Sequence, residues 1–238
     1  MFRQAKQSRV YQDVVEQIQE AIVTGKLKTG DQLPAERDLK ERFQVSRGTL
    51  REALRVLEQK GLIEIRTGVA GGSIVKGVGT EQVSASLGLL IRYKKVSLQN
   101  LAEFRIGLEG DIAALAARRA DTEDLVKLKA LLSAAGDHLA NGPDHWDSFI
   151  TTDEQIHLKI AETTRNPLFI SVLESLSWNI HTYYESFLPK DEELMKENHQ
   201  DMVQLIAAIE AHDSEEARRI AREHVRRFSA YMEKQKVK

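Results

Sequence analysis

The first 76 residues carry three helical apolar patterns and then two short alternating ones, and nothing after about residue 83 alternates like a strand. A chain laid out this way is restricted to a small helix–helix–helix–hairpin head followed by an all-helical body. In the head, Val10, Val14, Val15, Ile18, Ala21 and Ile22 recur at helical spacing, and Gly25 stops that helix. A turn-rich stretch leads to Pro34, placed at the first turn of a helix over about 35–43, where a missing N–H costs nothing. Ser46 is the expected N-cap of a third helix over 47–59, with Leu50, Ala53, Leu54 and Leu57 on its apolar face. LIEIR and SIVK, joined by the glycine-bearing TGVAGG, read as a β-hairpin wing.

The body reads as helices over roughly 82–93, 97–119, 122–141, 146–164, 168–187, 192–211 and 214–235. Asp121 with Asp124, Gly142-Pro143, Asn166-Pro167, and Asp213 with Glu216 supply the stops and starts. The short connections predict antiparallel neighbours in a bundle. The fold class expected is therefore mainly α, a winged helix-turn-helix at 1–76 and a linker at 77–81. An antiparallel all-α bundle at 82–238 follows.

Charge follows the same division. Residues 1–76 hold 14 Lys/Arg against 10 Asp/Glu, and the remainder holds 20 against 26, within a whole-chain net charge of −2. A basic head on an acidic body suits a nucleic-acid-binding module joined to a domain with another task. There is no cysteine, which excludes disulfides, thiolate metal sites and cysteine nucleophiles and fits a reducing cytoplasm. No run reaches the roughly 18 apolar residues a membrane span needs, and no signal-type apolar stretch opens the chain. The expectation is a cytoplasmic protein with no membrane partner.

The third helix carries Arg47, Thr49 and Arg51 in its first turn, so two guanidiniums and a hydroxyl crowd the end that enters a major groove in helix-turn-helix proteins. Arginine can bind guanine O6 and N7 with two hydrogen bonds, and the helix N-terminus favours phosphate oxygens. Arg37, on the preceding helix, is placed to contact the DNA backbone. The wing glycines Gly68, Gly71 and Gly72 are read as letting the chain approach a sugar–phosphate wall. Arginines on a short amphipathic helix are also commonly a solvated face, and the wider pattern decides between the two.

That pattern, GKLKTGDQLPAERDLKERFQVSRGTLREALRVLEQKGLIEIRTGVAGGSIV, resembles the GntR family of bacterial transcription regulators across the first 76 residues. The resemblance implies that Arg37, Ser46, Arg47, Thr49 and Arg51 bind double-stranded operator DNA and that the wing-tip pair Thr67 and Gly68 reaches the minor groove. Position 48 is Gly where relatives often carry Pro or Thr, which puts local contacts there in doubt.

EFRIGLEGDIAALAA, DEQIHLKIAETTRNPLF and LIAAIEAHDSEEARRIAREHV are similar to the FadR-like branch of that family, whose C-terminal FCD-type domain is a ligand-sensing helical bundle. Arg105 and Glu109 match the branch's Arg and Glu. Asp153 and His157 stand four apart on one helix, so both project from one face and can share a divalent cation such as zinc. The same spacing also suits a surface ion pair. His224 adds a third ligand if its helix packs alongside, and Arg105 can hold a carboxylate effector in a two-pronged fashion. Metal-binding relatives carry a further His where this chain has Met202, a poor ligand for hard ions. His199, one turn earlier, is the further candidate, and the site is three-ligand, rearranged through His199, or abandoned. His138 and His145 are expected at the surface and His212 at a helix end. His181 is weighed as pocket or packing, and Trp178, Tyr183, Tyr184 and Phe187 as core or interface.

The function expected is a homodimeric regulator on an inverted-repeat operator, modulated by a small organic acid and possessing no enzyme activity. Two alternatives stand beside it. One is a metal-free sensor of an acyl thioester, favoured by Met202. The other is a metal-dependent enzyme using Asp153, His157 and His224, which leaves the DNA head unexplained.

Overall fold

The computed structural model describes residues 9–68, 71–77, 81–93, 96–187 and 190–236. The chain forms two compact units, Met1–Gln82 and Val83–Lys238.

In the first unit α1 (Arg9–Val23), α2 (Glu36–Phe43) and α3 (Arg47–Gln59) precede an antiparallel hairpin of β1 (Ile63–Arg66) and β2 (Gly72–Val75). Ile63 pairs with Val75 and Arg66 with Gly72. Val14, Val15 and Ile18 of α1 meet Leu39 of α2 and Leu50, Ala53, Leu54 and Leu57 of α3 in one buried cluster that Ile63 and Val75 close from the hairpin. Its buried positions on α3 recur at i, i+3, i+4 and i+7, the spacing that carries one helix face into a core. Ser46 caps α3, its hydroxyl accepting from the Thr49 N–H at 3.1 Å. α2 begins later than the sequence suggested. Ala35, with extended ψ of 148°, is its N-cap, so Pro34 precedes the cap and lies outside the first turn. The reason is tertiary: Leu33 donates its N–H to the Ser73 carbonyl and Val75 donates to Asp31, which holds this stretch extended against β2.

Gly71 also has a role the sequence did not reveal. Its N–H closes the turn on the Gly68 carbonyl at 2.9 Å, and a Cβ there would sit 2.4 Å from the Arg66 carbonyl. The hairpin itself demands this glycine. Residues 69–70 of the wing tip, and 78–80 of the expected linker, lie outside the described residues.

The second unit is a bundle of α4 (Glu81–Tyr93), α5 (Leu98–Arg119), α6 (Thr122–Ala140), α7 (Trp146–Thr163), α8 (Pro167–Phe187), α9 (Glu192–Glu210) and α10 (Ser214–Lys236). A short 3-10 turn over Pro143–His145 precedes α7. α10 packs most extensively along α5. Small side chains are buried on both helices, Ala113, Ala114, Ala116 and Ala117 on α5 and Ala217 and Ala221 on α10, and a Cβ on Gly110 would lie 2.7 Å from Arg222. Asp121 and Asp124 form a reciprocal capping box at the start of α6. Arg165, at φ 52°, turns the chain between α7 and α8 and bonds Asp124 at 2.9 Å and the Thr163 carbonyl at 2.8 Å. The side chains of Trp178, His181, Tyr183, Tyr184 and Phe187 lie outside the described residues. No helix among the described residues is long and apolar enough to cross a membrane.

Candidate functional site

Two groups of residues stand apart from the packing. The first lies at the start of α3. Because Leu50, Ala53, Leu54 and Leu57 turn inward, Arg47 and Arg51 must turn outward, and both are exposed. The Arg51 side chain is 65% exposed and meets Glu36 at 3.0 Å, while Arg37 is 79% exposed. The Thr49 hydroxyl lies 2.8 Å from that of Ser46, so the residue that caps the helix also orients this hydroxyl. Thr67 and Gly68 are exposed at the end of β1, with Gly68 at φ 108°. This face presents exposed cations over a helix N-terminus, a combination that attracts polyanions.

The second group is buried. Asp153 and His157 lie one turn apart on the inner face of α7, and α10 brings His224 to them, so that a donor atom of each lies within 4.8 Å of the others. The two imidazole rings are 5.1 Å apart. Each ring is held at Nδ1 by an acid: His224 contacts Asp201 of α9 at 3.1 Å, and His157 contacts Glu109 of α5 at 2.8 Å, close but not aligned as a linear hydrogen bond. Each contact leaves Nε2 as the ring's other donor. Asp201 is itself steadied by Arg227 at 2.9 Å, and Glu109 accepts from Arg105 Nε at 2.7 Å.

Among the described residues, Asp153 Oδ1 and His157 Nε2 are buried without a hydrogen-bond partner. Buried polar atoms are rarely left so, and those that are call for a water, an ion or a ligand. Two imidazoles and a carboxylate, with both Nδ1 atoms anchored by acids, are a donor set that fits a divalent cation. Arg105, Glu109, Asp153 and His157 line one recess with Leu176 and Ile180. Burial works to raise the Glu109 carboxyl, but the Arg105 charge and then His157 outweigh it and hold it well below the usual carboxylate range. Burial likewise opposes the His157 imidazolium, and Glu109 and Asp153 override it and raise this pKa.

His199 is not brought to the cluster. Its Nε2 lies 3.4 Å from the Leu132 carbonyl, and a Cβ on Gly136 would stand 3.2 Å from it, so the ring faces α6. Met202 is 1% exposed within the apolar core. Among the other histidines, His138 and His145 stack at 6.0 Å, and His212, at φ 55°, bonds the Ala117 carbonyl through Nδ1 at 2.7 Å. Reasoning from the sequence missed Asp201 and gave Glu109 no role. Neither bears a local signal, since each meets its histidine across a helix–helix contact.

Comparison with known proteins agrees with this division. The GntR family of bacterial regulatory proteins matches residues 10–71, and the FCD domain matches residues 100–227. The chain is 30% identical over 226 residues to the Uxu operon transcriptional regulator of Escherichia coli (strain K12), covering 91% of this chain and 84% of that one. It is 33% identical over 156 residues to the HTH-type transcriptional regulator LutR of Bacillus subtilis (strain 168), covering 66% and 68%. Its fold is similar to that of a solved Streptococcus agalactiae GntR, with a TM-score of 0.70 at 24% identity, covering 92% of this chain and 99% of the other.

Proposed function

The chain belongs to the GntR family of bacterial regulatory proteins and carries an FCD domain; it is a transcription regulator, not an enzyme, and we propose that a small organic acid bound in the C-terminal bundle sets its affinity for operator DNA. The observation that carries this reading is the buried cluster of Asp153, His157 and His224 beside Arg105, with Asp153 Oδ1 and His157 Nε2 without a hydrogen-bond partner among the described residues.

In this reading a divalent cation held by Asp153, His157 and His224 supplies a Lewis-acidic seat for the acid's carboxylate. Glu109 and Asp201 fix the two rings, and Arg105 offers a guanidinium to the same carboxylate. At the other end, Arg47 and Arg51 read base edges, Arg37 grips phosphate, and Thr67 and Gly68 enter the minor groove. A homodimer sets two α3 helices in successive major grooves about 34 Å apart on an inverted repeat. The acid acts by binding one arrangement of the two heads better than the other, since only differential affinity shifts such an equilibrium.

Metal analysis of protein purified without chelator, paired with operator mobility shifts across a panel of organic acids, tests this. Bound metal in the parent, its loss in His157→Ala, and an acid that changes operator affinity support the reading. Operator affinity unmoved by any acid that binds the protein defeats it.

A further inference from the structure

The N-terminal unit holds a cleft of about 310 Å³, against about 10 Å³ for each recess of the bundle. It opens between the start of α2, the extended stretch before it and the base of the hairpin, over a floor of buried Leu33, Leu39 and Leu54. Two polar groups on its walls lack partners. One is the N-terminus of α2, whose first N–H groups have no carbonyl a turn earlier to bond. Its N-cap is Ala35, which has no side-chain oxygen to stand in, and Ala35 and Glu36 both line the cleft. The other is Ser73 of β2, 9% exposed, which lines the cleft from the hairpin side. Among the described residues its hydroxyl has no hydrogen-bond partner. A buried hydroxyl in that state calls for a water, an ion or a ligand.

The position of the cleft in the head decides its occupant. Glu36, on its rim, lies 3.0 Å from Arg51 of α3. Gly71, on the opposite rim, closes its turn on Gly68 of the wing. The cleft therefore lies between the helix assigned to the major groove and the wing assigned to the minor groove. One sugar–phosphate strand separates two adjacent grooves, so it must pass over the ground between α3 and the wing. Phosphate oxygens are the acceptors most used by DNA-binding proteins, and helix N-termini are among their donors.

The geometry points to a phosphate seat in this cleft: the Glu36 N–H and the Ser73 hydroxyl hold one phosphate of the operator strand that runs between the two grooves. The inference rests on the DNA-reading assignment above. The helix dipole favours an anion at this end of α2. The one opposing charge on the rim is the Glu36 carboxylate, and Arg51 draws it off toward α3. A backbone N–H and a hydroxyl carry no sequence information to a phosphate, so the seat fixes the register of the head and leaves base reading to the arginines.

The test compares Glu36→Pro with Glu36→Ala in the full chain. Both lose the carboxylate, and only proline loses the N–H. Proline fits the first helical position, and Ala35 already has the extended ψ of 148° that a following proline requires. The two variants should melt within about 2 °C of each other. In chloride buffer Glu36→Pro should bind the operator about tenfold more weakly than Glu36→Ala, the loss of one hydrogen bond to a charged group. It should lose the same factor on a scrambled duplex, since a phosphate contact is blind to sequence. Ser73→Ala should weaken both duplexes about threefold with its melting unchanged, because the hydroxyl bonds nothing in the free protein. Should Glu36→Pro unfold the head, Ser73→Ala carries the test, and unchanged binding of both duplexes overturns the seat. If the two position-36 variants bind the operator equally while Arg47→Ala with Arg51→Ala weakens it, the seat falls and DNA reading stands. If that double variant binds like the parent, DNA reading falls and the seat with it. If the position-36 variants bind the operator equally but inorganic phosphate raises the melting point of Glu36→Ala alone, the cleft takes a free anion and the operator contact is overturned.

Discussion

In the N-terminal unit the candidate cations lie in water: Arg37 is 79% exposed and Arg51 65%, and their acidic neighbours sit at the surface too. In the C-terminal unit the Arg105 and Glu109 side chains are 8% and 3% exposed, and His157 is 10%. Exposed charges cost little to hold and little to lose, so a face of them can meet a long polyanion and leave it again as salt and occupancy change. Buried charges must be paired, and removing one partner strands the other. In the function proposed above, the same residue types would make a reversible reading surface in one unit and a preorganised seat in the other. The difference follows from burial.

The largest test of this contrast is Glu109→Ala. It leaves Arg105 and the His157 contact without their shared carboxylate. Denaturant unfolding should show the bundle destabilised by about 3–5 kcal/mol. A change below 1 kcal/mol would erase the distinction between the two units. Arg47→Ala with Arg51→Ala should do the reverse. Their effect on unfolding stays within about 0.5 kcal/mol. Operator affinity falls by at least about tenfold, and selectivity at the bases the two arginines contact relaxes. A folded double variant that binds its operator with parental affinity and selectivity would falsify the DNA-reading assignment.

A buried carboxylate with an exposed partner should fall between these extremes: the Asp124 side chain is 10% exposed and that of its partner Arg165 is 48% exposed. Burial works to raise the Asp124 pKa, but Arg165, the Asp121 N–H and Lys159 outweigh it and hold the group below the usual aspartate range. A carboxyl depressed in the folded state contributes stability that is present above its ordinary pKa and drains away as pH falls toward the folded value. Asp124→Asn should cost about 1–2 kcal/mol at neutral pH. It should also flatten the loss of stability below about pH 5, as read by thermal melts across pH. The smallest effect belongs to the α3 cap. Ser46→Ala removes the bond to the Thr49 N–H. It should lower stability of the N-terminal unit by about 1 kcal/mol. Because the Thr49 hydroxyl loses its 2.8 Å neighbour as well, operator affinity should fall with the cap, and Ser46→Asp should restore stability better than affinity.

The apolar spacing of α3, the Ser46 cap, the Asp121–Asp124 box and the i, i+4 placement of Asp153 with His157 are all matters of neighbours in the chain. Local periodicity and capping chemistry are enough to specify them, which is why the element boundaries and the faces of the helices were legible from residues alone. What each face meets was not. Only the packing of the helices against one another brings His224 to His157, supplies Asp201 and Glu109 as anchors, turns His199 toward α6 and, among the described residues, leaves Asp153 Oδ1 and His157 Nε2 without a hydrogen-bond partner. The extended stretch against β2 that moves Pro34 out of the α2 first turn is of the same kind. A helix records which way a side chain points; whether that side chain finds a partner, water or a vacancy is set by another helix, tens of residues away.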